Sequence, residues 1–460
     1  MGHSFHIPVL GLAYSIDTPI KVAKYGISSV ISIVDDQLIE RIRHYYAVKF
    51  EKPFKSITAK AADCRATRIT AYLNLVHELV HEQMIRLKML PFEGENDLTK
   101  YFELLPNHSL LKQRYLTMLL ITDDEIKMQF QNSLKEEIRA GDIDVNIMSK
   151  VDKINQDAQG NNLEDKFSDA LAAIRGFAQS NLKSSVILSA GMNPRLYSYL
   201  AELDAFMPAA DASFDKKIVL KVSDFRSALI QAKYLAKKGI WISEFRIESG
   251  LNCGGHAFAT DGFLLGPILE EFKNKKDSLA ADLFPSYQQA LLERGIALDS
   301  IPEIKYTVQG GIGTALEQDF LMNYYGFDRT GWGSPFLLVP EATTVDQDTL
   351  NAMADATAED FYISDSSPLG VPFNNFRKSS AERQRLERIA KGRPGSPCTK
   401  KYLVGNKEFT DQPICTASRE YQHKKILALK SEDLPADLYS QRYDEITAKT
   451  CLCDGLAASA

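Results

Sequence analysis

The chain has 460 residues, of which 45% are hydrophobic and 25% charged, and its formal net charge is −6. This composition is that of an ordinary globular protein with room for more than one module. The acidic balance excludes a broad nucleic-acid-binding surface, and no apolar run is long enough to cross a bilayer. The N-terminus lacks a secretory signal pattern, and six cysteines are too few for a disulfide scaffold. We therefore expect a cytoplasmic protein.

Strand-like and helical segments alternate at the start of the chain and again after residue 183. Such alternation is typical of a parallel sheet covered by helices. Strands are predicted at Ile7–Tyr14, Ser28–Val34, Ser185–Ser189, Lys217–Val222, Trp241–Ile247, Tyr306–Gln309 and Ser334–Val339. Helices are predicted at Asp35–Lys49, Asp224–Lys237 and Ala315–Tyr325. An eighth strand would close a (β/α)8 barrel, and an open doubly wound sheet is the alternative.

Residues 53–182 interrupt the alternation, because their apolar spacing is helical almost throughout. Phe54–Thr58 is the segment in this block that could supply the missing strand. We predict an α/β fold, a (β/α)8 TIM barrel made by residues 1–52 and 183–345. Residues 53–182 would be a mainly helical insertion that narrows the mouth of the barrel as a lid. Residues 346–460 would be a C-terminal extension packed on the barrel.

A glycine-rich turn follows the predicted strand Tyr306–Gln309. The run Val-Gln-Gly-Gly-Ile-Gly-Thr at 308–314 leads into a helix, so backbone N–H groups and the helix dipole could receive a phosphate there. Its candidate ligands are Gly310, Gly311, Gly313 and Thr314. Gly333 and Ser334, beside the neighbouring strand, could complete the site. The alternative is that these glycines serve only as turn residues.

Two side chains at the ends of other predicted strands could carry chemistry. His256 ends a Cys-Gly-Gly-His run at 253–256 and could transfer protons, although a lone histidine is more often structural. Lys221, at the end of its strand, could stabilise negative charge on an electron-rich ring. The alternative, to which we give equal weight, is that Lys221 is a solvated lysine at a strand end. Cys253 has no visible activating partner that would make it a nucleophile.

These motifs, in this order, resemble nitronate monooxygenases, formerly called 2-nitropropane dioxygenases. The similar segments are Ile7–Val9, Lys221–Ser223, Cys253–His256, Gly310–Thr314, Phe336–Glu341 and Ser367–Gly370. The resemblance covers about residues 1–50 and 184–375. The sequence departs from the family's pattern at two places. Gly11–Tyr14 stands where the family usually has a glycine-rich loop, and Leu251 and Asn252 stand where a more compact loop is expected.

The resemblance implies an FMN-dependent (β/α)8 barrel that oxidises a nitronate or a nitroalkane-like small acid with O2. It makes His256 the base and Lys221 a flavin neighbour. The phosphate cradle would comprise Gly310, Gly311, Gly313, Thr314, Gly333 and Ser334. The alternatives are a flavin-dependent enoyl-thioester reductase of fatty acid or polyketide synthesis, and a non-catalytic barrel that binds partner proteins. The oligomeric state is left open.

His77-Glu78-Leu79-Val80-His81 is a literal match to the H-E-x-x-H signature of zinc peptidases. On a helical wheel the two histidines flank a buried apolar stripe, and Glu78 lies on the far, polar side. No glycine and third histidine follow at the extended spacing. We interpret the match as a chance one.

Four cysteines lie in the C-terminal extension, at Cys398, Cys415, Cys451 and Cys453. They could bind zinc or an iron–sulfur cluster, but none of the familiar C-x2-C spacings is present. The prediction is therefore unpaired thiols and no metal site.

Overall fold

The structure is a computed structural model that describes residues 2–11, 14–147, 149, 152–157, 159–253, 256–257 and 264–455. For Asn252, Cys253, Asp454 and Gly455 it describes the backbone alone. The chain forms two compact units. The first comprises Met1–Glu248 and Leu265–Thr343, and the second comprises Ser249–Leu264 and Thr344–Ala460.

The described residues form twelve strands, eight of them in the first unit and four in the second. They are β1 (Phe5–Ile7), β2 (Ser28–Ser32), β3 (Ile143–Asn146), β4 (Ser184–Leu188), β5 (Lys216–Val222), β6 (Glu244–Ile247), β7 (Asn252–Cys253), β8 (His256–Ala257), β9 (Lys305–Gln309), β10 (Arg329–Gly331), β11 (Phe361–Ser364) and β12 (Phe373–Phe376). Eight of these strands close a parallel barrel in the order β1-β2-β3-β4-β5-β6-β9-β10. The fold class predicted from the sequence, a (β/α)8 barrel, is confirmed.

The helices of the first unit cover the outside of this barrel. They are α1 (Thr18–Val22), α2 (Asp36–Lys49), α3 (Cys64–Met89), α4 (Asp97–Glu103), α5 (Leu110–Leu120), α6 (Asp124–Glu137), α7 (Asp169–Gln179), α8 (Pro194–Leu200), α9 (Phe225–Ala236), α10 (Leu265–Leu292) and α11 (Ala315–Tyr325). Residues such as Ile31, Val145 and Leu220 from the strands share one buried cluster with Ile39, Ile174 and others from the helices. Among the described residues, no helix is both long enough and apolar enough to pass through a membrane.

Two of the predicted strands are wrong. Phe54–Thr58 is irregular, and the strand beside β2 is instead Ile143–Asn146. Its polar residues Asp144 and Asn146 hid it, because they break the apolar run. The apolar segment predicted as a strand at Ser334–Val339 is a 3-10 helix over Ser334–Leu338, and the last barrel strand is Arg329–Gly331.

The helices α4, α5 and α6 form a second apolar core around Phe102, Tyr115 and Leu134. Asp97 at the start of α4 receives hydrogen bonds from Lys24 and Tyr25, which precede β2. These helices therefore lie near the N-terminal ends of the barrel strands. The predicted lid over the catalytic mouth is wrong, because that mouth lies at the opposite ends.

The second unit contains a four-stranded sheet in the order β11-β12-β8-β7. Its helices are α12 (Gln347–Ala354), α13 (Ser380–Ala390), α14 (Arg419–Lys430), α15 (Ala436–Ala448) and α16 (Leu452–Gly455). None of the buried apolar clusters includes a described residue of this unit. Something other than an apolar core must therefore stabilise much of it.

Candidate functional site

The glycine turn lies where β9 ends, at the carboxyl ends of the barrel strands. Gly310 and Gly311 have φ angles of +92° and +74°, a left-handed conformation that favours glycine. A Cβ atom built on either residue would meet nothing within 4 Å. The turn thus exposes its backbone to open space at the end of the barrel where TIM-barrel enzymes bind substrates.

The N-terminus of α11 follows this turn and is capped by its own side chains. Thr314 accepts a hydrogen bond from the N–H of Glu317. Glu317 Oε2 in turn accepts from the N–H groups of Gly313 and Thr314, at 2.8 and 2.9 Å. These hydrogen bonds lower the pKa of Glu317. Two of the four turn residues predicted to bind phosphate, Gly313 and Thr314, therefore already hold an exposed carboxylate.

The neighbouring strand β10 brings the second glycine segment to the same end of the barrel. Gly331 pairs with Gln309 of β9, and a Cβ on Gly331 would lie 2.6 Å from the Gln309 Cβ and 2.8 Å from His6 Nε2. Gly331 is therefore required for close packing. Gly333 and Ser334 follow at the start of the 3-10 helix Ser334–Leu338.

Four polar side chains form a continuous chain across the end of the barrel. Lys221 Nζ lies 2.9 Å from Glu248 Oε1, and Gln309 donates to Glu248 Oε2 at 2.9 Å. The Gln309 Oε1 atom lies 3.4 Å from His6 Nε2. Lys221 is 21% exposed and Glu248 is 12% exposed. Lys221 is thus a fixed, ion-paired cation at the barrel mouth, in contrast to the solvated lysine that the sequence left open.

A buried charge cluster lies on the adjoining positions of the same strands. Arg246 donates to Asp144 and to Glu244, each at 2.7 Å, and Thr307 donates to Glu244 at 2.6 Å. Burial raises the pKa of Asp144. Burial acts to raise the pKa of Glu244, but the charge of Arg246 together with the hydrogen bonds from Arg246 and Thr307 and the charge of Arg329 lowers that pKa overall.

His6 lies beside this cluster and is fully buried. Burial holds its pKa well below the ordinary value, and the positive charges of Arg246 and Arg329 lower it further. His6 is therefore a neutral imidazole at neutral pH. Its Nδ1 atom has no hydrogen-bond partner among the described residues.

His256 belongs to the second unit, in the loop that follows β6 along the chain. Its Nε2 atom lies 2.9 Å from Ser367 Oγ, and its ring meets Phe373 edge-on at 4.9 Å between centroids. Two segments named in the family resemblance, Cys253–His256 and Ser367–Gly370, therefore meet here. Gly254 and Gly255 lie outside the described residues, and so does the side chain of Cys253.

The H-E-x-x-H match lies on α3. The rings of His77 and His81 stack with 6.4 Å between centroids, and Glu78 forms an ion pair with Lys52 at 2.6 Å. Since its carboxylate is held by Lys52, Glu78 is not placed as the general base of a zinc peptidase.

Sequence reasoning missed the partners of the residues it selected. Lys221 is paired with Glu248, which is hydrogen-bonded to Gln309, and Gln309 in turn contacts His6. Ser367 lies within hydrogen-bond distance of His256. The alternation Glu244-Arg246-Glu248 along one strand was a usable signal, because three charged residues with a period of two indicate a polar barrel interior.

No protein-family model matches the chain, and no curated protein matches it. Among solved structures, it is similar to the enoyl reductase domain of MlnA from the macrolactin biosynthesis cluster of Bacillus amyloliquefaciens. The sequences are 13% identical, the match covers 80% of this chain and 90% of that chain, and the TM-score is 0.36. A likeness this weak assigns neither a family nor an activity, so the function rests on the geometry above.

Proposed function

We propose that this protein is an FMN-dependent oxidoreductase of the nitronate monooxygenase kind, which oxidises a nitronate or nitroalkane-like small acid with O2. The observation that carries the proposal is the turn at Gly310 and Gly311. Both residues are left-handed and open, and they connect β9 to the N-terminus of α11. A backbone anion site at this end of a (β/α)8 barrel is a frequent phosphate site.

The residues present fit a single phosphate group. A Cβ atom on Gly310 or Gly311 would meet no described residue within 4 Å, and the helix dipole of α11 favours an anion at its N-terminus. Glu317 stands in for that anion at Gly313 and Thr314, and its exposed side chain can rotate out. Gly333 and Ser334, after the adjacent strand, would complete the cradle.

A bound FMN would accept electrons from the substrate carbon and pass them to dioxygen. Lys221 would stabilise negative charge on an electron-rich ring at the mouth, and Glu248 and Gln309 would hold it there. His256, whose ring is held by Ser367, would remove the α-proton of a neutral nitroalkane. The carbon product would be a carbonyl compound whose oxygen comes from O2, and the nitro group would leave as nitrite.

The cradle is tested with a pair of glycine variants. Gly311 and Gly94 are both left-handed with open space around them, but Gly94 lies between α3 and α4. Substituting alanine costs similar backbone strain at either position, on the order of 1 kcal/mol. Gly311→Ala should weaken FMN binding by about tenfold or more, while Gly94→Ala should leave it unchanged. Equal FMN affinity in both variants, or no FMN binding by the wild type, would refute the cradle.

The base is tested by comparing two substrates. Removing a positioned base typically costs about 10²–10⁴ in rate. His256→Ala should lose this factor on neutral nitroalkanes and far less on preformed nitronates, which need no proton removal. An equal loss of rate on nitroalkanes and on nitronates would show that His256 does not remove the proton. The alternative activity is enoyl reduction. It would be supported if NADPH bleaches the flavin under anaerobic conditions and the enzyme turns over an enoyl thioester but no nitronate, and nitronate oxidation would then be rejected.

A further inference from the structure

The second unit contains a groove of about 1150 Å³ between α14 and the irregular connection that joins α13 to α14. One wall is a single face of α14, because the lining residues Arg419, Leu427 and Lys430 recur at helical spacing. The connection supplies the opposite wall. This wall includes Cys398 and Cys415, which are predicted as unpaired thiols and form no disulfide. The groove therefore lies wholly within the second unit.

Backbone hydrogen bonds fix this connection, residues 391–418, against the start of α14. Ser396 pairs with Ser418, and the Arg419 N–H donates to the Ser396 carbonyl at 2.8 Å. Gly395 has a φ angle of +82°, and a Cβ atom built on it would lie 2.7 Å from the Arg419 Cα atom. Only glycine allows so close an approach. The groove is therefore built by ordered backbone, although the connection contains neither helix nor strand.

The lining of the groove carries an excess of positive charge. Its four cationic side chains are those of Arg393, Lys401, Arg419 and Lys430. Among the described residues, no ion pair joins any of these four to a carboxylate. Glu420 also lines the groove, but its carboxylate already pairs with Lys424 at 2.9 Å. The groove therefore presents a positive potential, which attracts an anion.

Arg419 has a buried donor that no described residue satisfies. Its Nε atom is shielded from solvent and has no hydrogen-bond partner among the described residues. Burying such a donor without an acceptor is unfavourable. A carboxylate or phosphate group can accept from it, since the guanidinium fork binds two oxygens of such a group together. The end of the groove at Arg419 is therefore suited to the anionic part of a ligand.

The groove is apolar between its charged ends. Ile414 and Ile426 are half-buried and Leu427 is 52% exposed. Since an α-helix rises about 1.5 Å per residue, Arg419 and Lys430 lie about 16 Å apart along the helix axis. A cavity with this lining suits a small organic molecule and is far larger than an inorganic anion. A matching ligand therefore combines an anionic group with an apolar body.

We propose that the groove binds a small, soluble phosphate monoester with an apolar chain. Its phosphate would lie between Arg393 and Arg419, and its chain would lie along Ile426 and Leu427. Phosphate is favoured over carboxylate because it offers three acceptor oxygens and about two negative charges to the cations around it. This binding does not depend on whether the barrel binds flavin.

The test is calorimetric titration of the full-length protein with octyl phosphate below its micelle concentration. Inorganic phosphate and 1-octanol are the comparison probes, because each carries one part of the proposed ligand. We expect octyl phosphate to bind at least about tenfold more tightly than either. Leu427→Gln should weaken the binding of octyl phosphate and leave that of inorganic phosphate unchanged.

Charge variants locate the phosphate. Arg419→Gln should weaken octyl phosphate binding by about tenfold, as expected for the loss of a charge-assisted hydrogen bond. Arg393→Gln, at an exposed position, should do the same and serves if Arg419→Gln does not fold. Lys425→Gln is the matched control, because Lys425 lies on the same helix but pairs with Glu408 at 2.6 Å. It should retain wild-type affinity, and so should Gly311→Ala in the barrel.

Three results would overturn the proposal. One is a wild-type protein that does not bind octyl phosphate at millimolar concentration. Another is an affinity that falls equally in Arg419→Gln, Arg393→Gln and Lys425→Gln, or that falls in Gly311→Ala, since the phosphate would then bind elsewhere. The third is sedimentation with vesicles that contain phosphatidic acid and no binding of monomeric octyl phosphate, which would make the ligand a membrane surface. Each result can be obtained whether or not FMN binds the barrel.

Discussion

The charge cluster inside the barrel gives the sharpest prediction about stability. Arg246 is 1% exposed and neutralises Asp144 and Glu244. Arg246→Met keeps much of the side-chain length but leaves two carboxylates without a cation in a dry interior. Removing one partner from a buried ion pair typically costs about 3–5 kcal/mol. With a urea dependence of about 3 kcal/mol per molar, the unfolding midpoint should fall by roughly 1–1.7 M.

Equilibrium urea unfolding followed by tryptophan fluorescence measures this loss. Both tryptophans, Trp241 and Trp332, lie in the first unit, so the signal reports on the barrel. Adding Asp144→Asn and Glu244→Gln to Arg246→Met should recover part of the loss, because no buried charge is then left uncompensated.

The pH dependence of the single variant provides a second check. In Arg246→Met the carboxylates should have pKa values above those of the unfolded chain, so the native state binds more protons than the unfolded state. The deficit relative to wild type should therefore shrink as the pH falls from 8 to about 5. A midpoint within about 0.3 M of wild type at pH 8, given the urea dependence above, would refute the account of the cluster.

Three further predictions concern the barrel mouth and its surroundings. His6 has a pKa well below its ordinary value in the native state. Below about pH 6.5 the unfolded chain should therefore bind a proton that the barrel does not, and stability should fall by up to about 1.4 kcal/mol per pH unit. His6→Asn should remove this slope in urea unfolding, and an unchanged slope would exclude His6 as its source. Glu317→Gln preserves the helix cap but removes a negative charge from the position proposed for the phosphate, so fluorescence titration should show several-fold tighter FMN binding, with the larger gain at low salt. Weaker FMN binding would contradict the claim that the Glu317 carboxylate and the phosphate occupy the same position. Gly331→Ala should destabilise the barrel because its Cβ would meet Gln309 and His6, whereas the Cβ of Gly333→Ala would meet the end of Leu10 at 3.3 Å and Pro8 at 3.9 Å and should be tolerated. Equal melting temperatures of the two variants would contradict this packing.

The sequence was sufficient to predict the barrel because most of its strands are short apolar runs separated by amphipathic helices. It was misleading where the barrel interior is polar, since Asp144 interrupts the apolar run of β3 and the strand was assigned to the helical insertion 53–182. It was also misleading at Ser334–Val339, where an apolar run with proline at its second position forms a 3-10 helix. In β3 only the single charged residue Asp144 lies on the polar face, so the sequence shows no alternation of charge there.

The candidate site was predictable only where a single residue type carries the signal. Glycine at 310 and 311 marks a left-handed turn by itself, and the structure has that turn. Glu317 and Glu248 could not be selected, because their roles depend on partners from the helix cap and from another strand.

The central claim is that the turn after β9 binds the phosphate of a flavin. The most direct test is the ratio of the dissociation constants of riboflavin and FMN, measured by fluorescence titration of the flavin-free protein. Riboflavin differs from FMN only by lacking the phosphate, and each charge-assisted hydrogen bond contributes about 1.5–3 kcal/mol. We predict that FMN binds at least about tenfold more tightly than riboflavin, and that Gly311→Ala reduces this preference while Gly94→Ala retains it. Equal affinity for the two flavins, or no affinity for either, would contradict the claim.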